Sequence, residues 1–209
     1  KDISYFPGAI EWWAKKGVRV IHFEIVNPKR GRAIKNKISD LSELEIKQYI
    51  SEAIEKAKQN KIFLFNSSWM NLIKPNDYFC SSCHGEAFII LPDGSISACF
   101  STQNINEPLA KNFIIGKIVN SNIVWNKKIK NNLKKFSYKK IKGCRDCNVK
   151  RICGGGCPMR HLLETGTFYK NSKFYCKIKR ALIGLAKSAL KLSNKYVLGY
   201  EYLTNQINK

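Results

Sequence analysis

The sequence predicts an α/β fold followed by a small α+β domain rich in cysteine, and two observations carry this prediction. Residues 18–66 contain two strand-like runs on either side of an amphipathic helical segment. Residues 80–176 contain a hairpin signature and all eight cysteines of the 209-residue chain. A strand, a helix and a strand in succession indicate a βαβ unit with parallel strands and a right-handed crossover.

The elements of the α/β part follow from capping residues and apolar periodicity. The segment "PGAIEWWAKKG" predicts a short helix that begins near Pro7 and stops at Gly17, and "VRVIHFEIV" alternates as a strand does. Ser42 and Glu45 form a capping-box signature, and apolar residues then recur at helical spacing, so we predict a helix over residues 42–59. The apolar run "KIFLFN" is the second strand.

The cysteine-rich part predicts a hairpin and two helices. The segment "AFIILPDGSISAC" holds the turn residues Pro92, Asp93 and Gly94 between two apolar strands. The lysine-rich residues 121–136 and the segment "KFYCKIKRALIGLAKSALKLSNK" are interpreted as helices. No apolar run reaches membrane-spanning length, because the best candidate, "ALIGLAKSALKL", is short and carries two lysines.

The net charge of +22 has two interpretations. It indicates a polyanionic partner, or it reflects a general bias toward Lys, Asn and Ile. Basic residues are spread along the chain, which favours the compositional bias and ranks nucleic acid below an acidic peptide as a partner. The "PKRGR" loop at residues 28–32 is expected to be solvated surface, with an acidic peptide as its alternative ligand.

The eight cysteines admit disulfides, zinc sites or iron–sulfur clusters. Disulfides suit core-poor domains in oxidising compartments, whereas this chain is 44% hydrophobic and carries Cys-x2-Cys pairs at 80/83 and 144/147. Two four-cysteine zinc sites would use all eight thiolates and stay open as the alternative. Against zinc, the cysteines after Cys147 do not form further Cys-x2-Cys pairs.

The run "CRDCNVKRICGGGCP" favours iron–sulfur clusters. A four-iron cube takes four thiolates, and bacterial ferredoxins use a Cys-x3-Cys-Pro ending whose last cysteine serves a neighbouring cluster. Cys157 and Pro158 form that ending here. The three glycines before Cys157 allow a tight bend that brings backbone amides close to cluster sulfurs. We therefore expect the run to serve two clusters.

On these residues the sequence resembles the radical SAM enzymes that carry a SPASM domain. Their pattern is a cysteine, a gap of nine to fifteen residues, Gly-x4-Cys, the run Cys-x2-Cys-x5-Cys-x3-Cys, and a last cysteine. The chain reproduces it with Cys83, with Gly94 and Cys99, with Cys144, Cys147, Cys153 and Cys157, and with Cys176.

The resemblance implies two auxiliary 4Fe–4S clusters with interleaved ligands. The first set is Cys80, Cys83, Cys99 and Cys157, of which Cys80 lies outside the seven-cysteine pattern. The second set is Cys144, Cys147, Cys153 and Cys176. The predicted hairpin agrees with this division, because its turn returns Cys99 to the end where Cys83 lies.

The resemblance also implies a fold. It is the C-terminal part of a radical SAM partial (β/α) barrel in residues 1–79, a SPASM domain of hairpin and helices in 80–180, and a C-terminal helix and tail in 181–209. The family's SAM-cleaving motif, Cys-x3-Cys-x2-Cys, is absent, because Arg160 stands where its third cysteine would be. We therefore expect the C-terminal portion of a longer enzyme that binds S-adenosylmethionine and a third 4Fe–4S cluster elsewhere.

The implied activity is that of an oxidoreductase that modifies a ribosomally made peptide or protein, with auxiliary clusters for electron transfer and substrate positioning. Relatives that mature sulfatases carry an Asp base directly after the Gly-x4-Cys cysteine, and Phe100 stands there instead. The expected partners are a peptide or protein substrate of acidic character and an electron donor such as a flavodoxin or ferredoxin. A membrane partner is not expected, and the expected location is the cytoplasm.

Two other functions stay open. One is a non-catalytic four-cysteine zinc module that binds nucleic acid, and the other is a stand-alone iron–sulfur electron carrier.

Candidate catalytic residues outside the cysteines are His22, Glu24 and Asn66. His22 and Glu24 share one face of the first strand. If this face lines a barrel lumen, the two side chains contact S-adenosylmethionine or substrate. If it packs under a helix, they form a buried hydrogen-bonded pair. Asn66 ends the second strand, where barrel sites lie, or belongs to a polar turn with Ser67 and Ser68. His84 and His161 lie beside cluster cysteines and are expected to hydrogen-bond near the clusters rather than bind iron.

Overall fold

The computed structural model of the chain describes residues 3–198 except 27, 29, 30, 38–40, 73 and 193–195. The helices within these residues are α1 (Phe6–Lys15), α2 (Arg32–Lys35), α3 (Glu43–Gln59), α4 (Lys127–Lys134), α5 (Lys150–Cys153), α6 (Pro158–Thr165) and α7 (Lys173–Lys191). The strands are β1 (Val20–His22), β2 (Phe63–Phe65), β3 (Ile89–Ile90), β4 (Ser95–Ser97), β5 (Ile114–Val119), β6 (Asn122–Trp125) and β7 (Val197–Leu198).

The chain forms two compact units. The first unit comprises residues 1–75 and 173–209, as far as they are described, and the second unit comprises residues 76–172. The chain therefore leaves the first unit once and returns to it at α7. This division differs from the predicted boundaries, which joined Cys176 to the cysteine-rich domain and set residues 181–209 apart.

The first unit contains a parallel sheet in the order β1-β2-β7. Val20 aligns with Phe63 in β1 and β2, which confirms the parallel βαβ unit. The predicted capping box is confirmed at the start of α3, where Ser42 Oγ accepts from the Glu45 backbone N–H at 3.1 Å. Strand β7 was not predicted from the sequence. The partial barrel stays a prediction, because the described sheet has three short strands.

The core of the first unit explains why α7 returns to it. Ile46 and Ile50 of α3, Leu64 of β2, and Ile178 and Leu182 of α7 lie in one apolar cluster, each at most 2% exposed. Full burial of an aliphatic side chain of this size contributes roughly 1.5–3 kcal/mol. The apolar face of α3 is thus covered by a helix more than a hundred residues further along the chain.

The second unit contains a four-stranded antiparallel sheet in the order β3-β4-β5-β6. The predicted hairpin is confirmed, since Ile90 aligns with Ile96 across β3 and β4. Its turn is closed by the Gly94 N–H, which donates to the Leu91 carbonyl at 2.9 Å. Asp93 accepts from the Ser95 N–H at 3.1 Å, as a turn residue does.

The predicted helix over residues 121–136 is wrong at its beginning. Residues Asn122–Trp125 form β6, and α4 starts only at Lys127. Asn120 and Ser121 both have positive φ, 48° and 61°, so they form the two-residue turn that joins β5 to β6. The runs "FIIGKIV" and "IVW" on either side of these residues carried the strand signal.

The helices of the described residues include none whose length and apolar character would suit it to cross a membrane.

Candidate metal centre

Four cysteines from three separate segments gather in the core of the second unit. Cys83 is 4% exposed, and the partly buried Cys80, Cys99 and Cys157 pack against the same apolar cluster. Ile96 of β4, Phe113 and Met159 of α6 supply apolar neighbours. These four cysteines are the predicted first set, which places Cys157 with Cys83 and Cys99.

The thiols of Cys80 and Cys83 interact directly. A hydrogen bond from the Cys83 thiol lowers the pKa of Cys80, and backbone N–H groups of Cys83 and Ser82 add to this effect. The same bond, together with burial and the sulfurs of Cys80, Cys157 and Cys99, raises the pKa of Cys83. Ionising more than one of these sulfurs would bring negative charges together, and a bound metal centre would relieve that repulsion.

Helix α6 and the preceding glycines set the direction of Cys157. Cys157 is the residue before α6, and Pro158 occupies its first turn, where a missing backbone N–H costs nothing. Gly154, Gly155 and Gly156 all have positive φ, at 59°, 84° and 81°. A run of three left-handed residues turns the chain sharply between Cys153 and Cys157.

Three cysteines of the predicted second set lie in a run of tight turns. The Cys147 N–H donates to the Cys144 carbonyl at 3.3 Å, and the Cys153 N–H donates to the Val149 carbonyl at 2.8 Å. Cys144 is buried with Phe136 and Ile141. The fourth member, Cys176, lies near the start of α7 and belongs to the first unit.

The donors are thiols, which are ligands of iron–sulfur clusters and of zinc alike. None of the eight cysteines, all within the described residues, forms a disulfide. Across the described part of the chain, no three or more Cys, His, Asp or Glu side chains are arranged to hold a single metal ion. Four thiols around an apolar core are the ligands that a 4Fe–4S cube takes, and buried backbone and hydroxyl donors near them suit cluster sulfurs.

Both histidines near the cysteines hydrogen-bond to backbone carbonyls. His84 Nε2 lies 3.0 Å from the Phe136 carbonyl, and its ring stacks on Tyr78 with centroids 3.6 Å apart. His161 is 1% exposed, and its Nδ1 lies 3.1 Å from the Phe168 carbonyl. These contacts favour the expected supporting role of both rings.

Thr102 was missed by sequence reasoning. Its backbone N–H donates to the Cys99 carbonyl at 2.9 Å, so it closes the turn that follows a predicted ligand. The residue is fully buried, and its hydroxyl has no hydrogen-bond partner within the described residues. A buried hydroxyl normally finds an acceptor, and a sulfur of the first cluster would supply one.

We expect Thr102→Val to lower the reduction potential of the first cluster, because hydrogen bonds to cluster sulfurs stabilise the reduced state. Thr102→Ser keeps the hydroxyl and should stay close to the unchanged protein. Potentiometric titration followed by electron paramagnetic resonance measures the difference. Equal potentials in the Val and Ser variants would contradict this role.

His22, Glu24 and Asn66 lie together where β1 and β2 end. Glu24 Oε1 lies 3.1 Å from His22 Nε2 and accepts from the Ser67 N–H at 2.8 Å, and both side chains are exposed, so the predicted alternative of a buried pair is wrong about burial. Burial raises the pKa of Glu24, but hydrogen bonds from Ser67 and His22 and the charge of Lys179 outweigh it, so the pKa lies below its ordinary value. Glu24 is therefore an anion near neutral pH.

Asn66 has a local structural task in this group. It is fully buried, its Nδ2 donates to the Phe23 carbonyl at 2.7 Å, and its Oδ1 accepts from the Ser68 N–H at 2.8 Å. These bonds make it the cap of the short turn Ser67–Trp69. This is the polar-turn interpretation that the sequence left open.

Lys179 also belongs to this polar group and was not predicted. It is 2% exposed, and its Nζ donates to Ser68 Oγ at 3.3 Å. Its position four residues after Tyr175 and three before Leu182 puts it on the buried stripe of α7, which is the signal that could have found it.

In the "PKRGR" loop, Lys29 and Arg30 lie outside the described residues.

Comparison with known proteins finds one family. Residues 80–148 match the model of the SPASM family, described as an iron–sulfur cluster-binding domain. This match covers three cysteines of the first set and two of the second set. No curated protein matches the chain significantly.

Proposed function

We propose that this chain serves a radical SAM oxidoreductase that modifies a ribosomally made peptide or protein, with its SPASM domain holding two auxiliary 4Fe–4S clusters. One observation carries the proposal. Cys80, Cys83, Cys99 and Cys157 pack in one buried apolar cluster. The first three lie within the segment that matches the SPASM family, and Cys157 lies just beyond it. Cys153, the cysteine that precedes Cys157 in the chain, belongs to the proposed second ligand set.

The clusters would supply one-electron chemistry, and the chain would hold and tune them. Four thiolates of each set would be the ligands, with Cys176 completing the second. The apolar surroundings of Cys83 would exclude water from the first cluster, while buried N–H and O–H groups would adjust its potential. The implied task is to accept or relay the electron that remains after a bond forms on the substrate.

The proposed substrate and partners follow from charge and chemistry. A net charge of +22 suits an acidic peptide, and His22 and Glu24 are proposed contacts for S-adenosylmethionine or for this substrate. S-adenosylmethionine, a further 4Fe–4S cluster and an electron carrier of the flavodoxin or ferredoxin class would take part. The cytoplasm is the proposed location, because it keeps thiols reduced.

Metal analysis of the anaerobically purified chain tests the proposal. We expect about eight iron and about eight sulfide ions per chain and a broad brown absorption band, since two 4Fe–4S clusters would be present. Chelation of the iron should bleach the band and lower the thermal midpoint of unfolding. Colourless protein with about two zinc ions would instead support the zinc module.

A further inference from the structure

A basic groove of about 430 Å³ lies open on the surface of the second unit. Five cations line it, namely Lys139, Lys140, Lys142, Arg145 and Lys150. The apolar lining comes from Tyr138 and Ile141. We call this feature the basic groove.

Positive charge dominates the basic groove. None of its described lining residues is acidic. The nearby Asp77 carboxylate forms an ion pair with Lys139 and so neutralises one cation. Lys140, Lys142 and Arg145 are exposed. Small-molecule sites are mostly apolar, so a groove lined in this way suits the acidic surface of a protein better than a small ligand.

The basic groove shares a lining residue with the apolar cluster that contains Cys144, a cysteine of the second set. Ile141 lines the groove and is buried in one cluster with Cys144, and Tyr138 packs against that cluster. Arg145 and Lys150 of the groove lie on either side of Cys147 in the chain, and Lys150 Nζ donates to the Arg145 carbonyl at 2.6 Å. Ile141 therefore belongs both to the lining of the groove and to the apolar cluster that contains Cys144.

We propose that the basic groove docks an acidic one-electron carrier protein beside the second cluster. This inference rests on the proposed function and assigns the docking surface. One electron would pass between the iron of the carrier and the site that Cys144 and Cys147 would help to hold, in the direction that their potentials set, so no bond forms or breaks. Charge complementarity steers such short-lived encounters, which bury little surface and depend on salt. An acidic peptide substrate is disfavoured here, because the groove lies over an electron-transfer ligand.

The test compares two charge-reversal variants of the cluster-loaded chain. The groove variant is Lys140→Glu with Lys142→Glu and Arg145→Glu. The control variant carries the same charge change on exposed lysines of the second unit that do not line the groove, Lys111→Glu with Lys127→Glu and Lys128→Glu. The probe is an acidic plant-type [2Fe–2S] ferredoxin. Its Kd and the rate of its oxidation on mixing are measured at about 10 mM and about 150 mM salt.

We expect the groove variant to weaken binding and slow electron transfer about tenfold at low salt, and the control variant to change both less than about threefold. The difference should shrink at high salt. Equal loss in both variants would overturn the proposal, as would binding of a poly-glutamate peptide or RNA but not of ferredoxin. Iron content keeps the two proposals apart: chain without iron refutes the proposed function, whereas normal iron with unchanged ferredoxin binding refutes only the docking surface.

Discussion

Replacing Cys157 with Ala should remove the first cluster and leave the second, so iron should fall from about eight to about four per chain. The physical reason is the position of Cys157, which packs with Cys83 and Cys99 although only three residues separate it from Cys153. A cube that loses one of four thiolate ligands in a partly buried site is expected to be lost on purification.

Double variants show which cysteines share a cluster. Cys83→Ala added to Cys157→Ala should cause no further loss of iron, because both residues would serve the same cluster. Cys153→Ala added to Cys157→Ala should bring iron close to zero, because each residue would serve a different cluster. Iron and acid-labile sulfide are measured on protein purified without oxygen. The reverse pattern would contradict the interleaved assignment.

Gly154→Ala should destabilise the chain by about 2–5 kcal/mol. Two costs add, since a left-handed Ala costs about 1–2 kcal/mol and overpacking costs about 1–3 kcal/mol or somewhat more. A Cβ on Gly154 would collide with the Tyr78 carbonyl group and stand 2.5 Å from the Phe79 backbone nitrogen. Neither backbone group can move without shifting the segment that leads to Cys80. Cluster content should fall as well.

Gly166→Ala is the matched control for this substitution. Gly166 also has a positive φ of 73°, but a Cβ there meets nothing within 4 Å. Its cost should be about 1 kcal/mol, which lowers the thermal midpoint by about 3 °C, against about 10 °C for Gly154→Ala. Circular dichroism during heating measures both. Similar midpoints for the two variants would show that the close approach to Tyr78 does not matter.

Local signals in the sequence predicted many of the elements of the fold. The Ser42–Glu45 capping box, the turn at Asp93 and the long helix α7 appear as predicted, because caps, turns and apolar stripes depend on residues a few positions apart. The error at residues 122–125 has the same origin. The lysines that follow Trp125 favour a helix, whereas Asn120 and Ser121, both with positive φ, form the turn that precedes β6.

The cysteine pattern by itself indicated the family that the chain resembles. Spacings of two, five and three residues, with Gly94 before Cys99, led to the SPASM resemblance, and the family match at residues 80–148 agrees with it. Cys80 lies outside the seven-cysteine pattern, but its Cys-x2-Cys spacing to Cys83 already put the two side by side, and their thiols interact in the structure.

The tertiary structure decided how distant segments meet. It returned α7 to the first unit, added β7 to the parallel sheet and buried Lys179 beside Ser68. These juxtapositions depend on apolar burial summed over segments about a hundred residues apart, for which no short sequence window carries a signal. The sequence thus determined the cysteine pattern and the local turns, and packing determined which of the cysteines share a core.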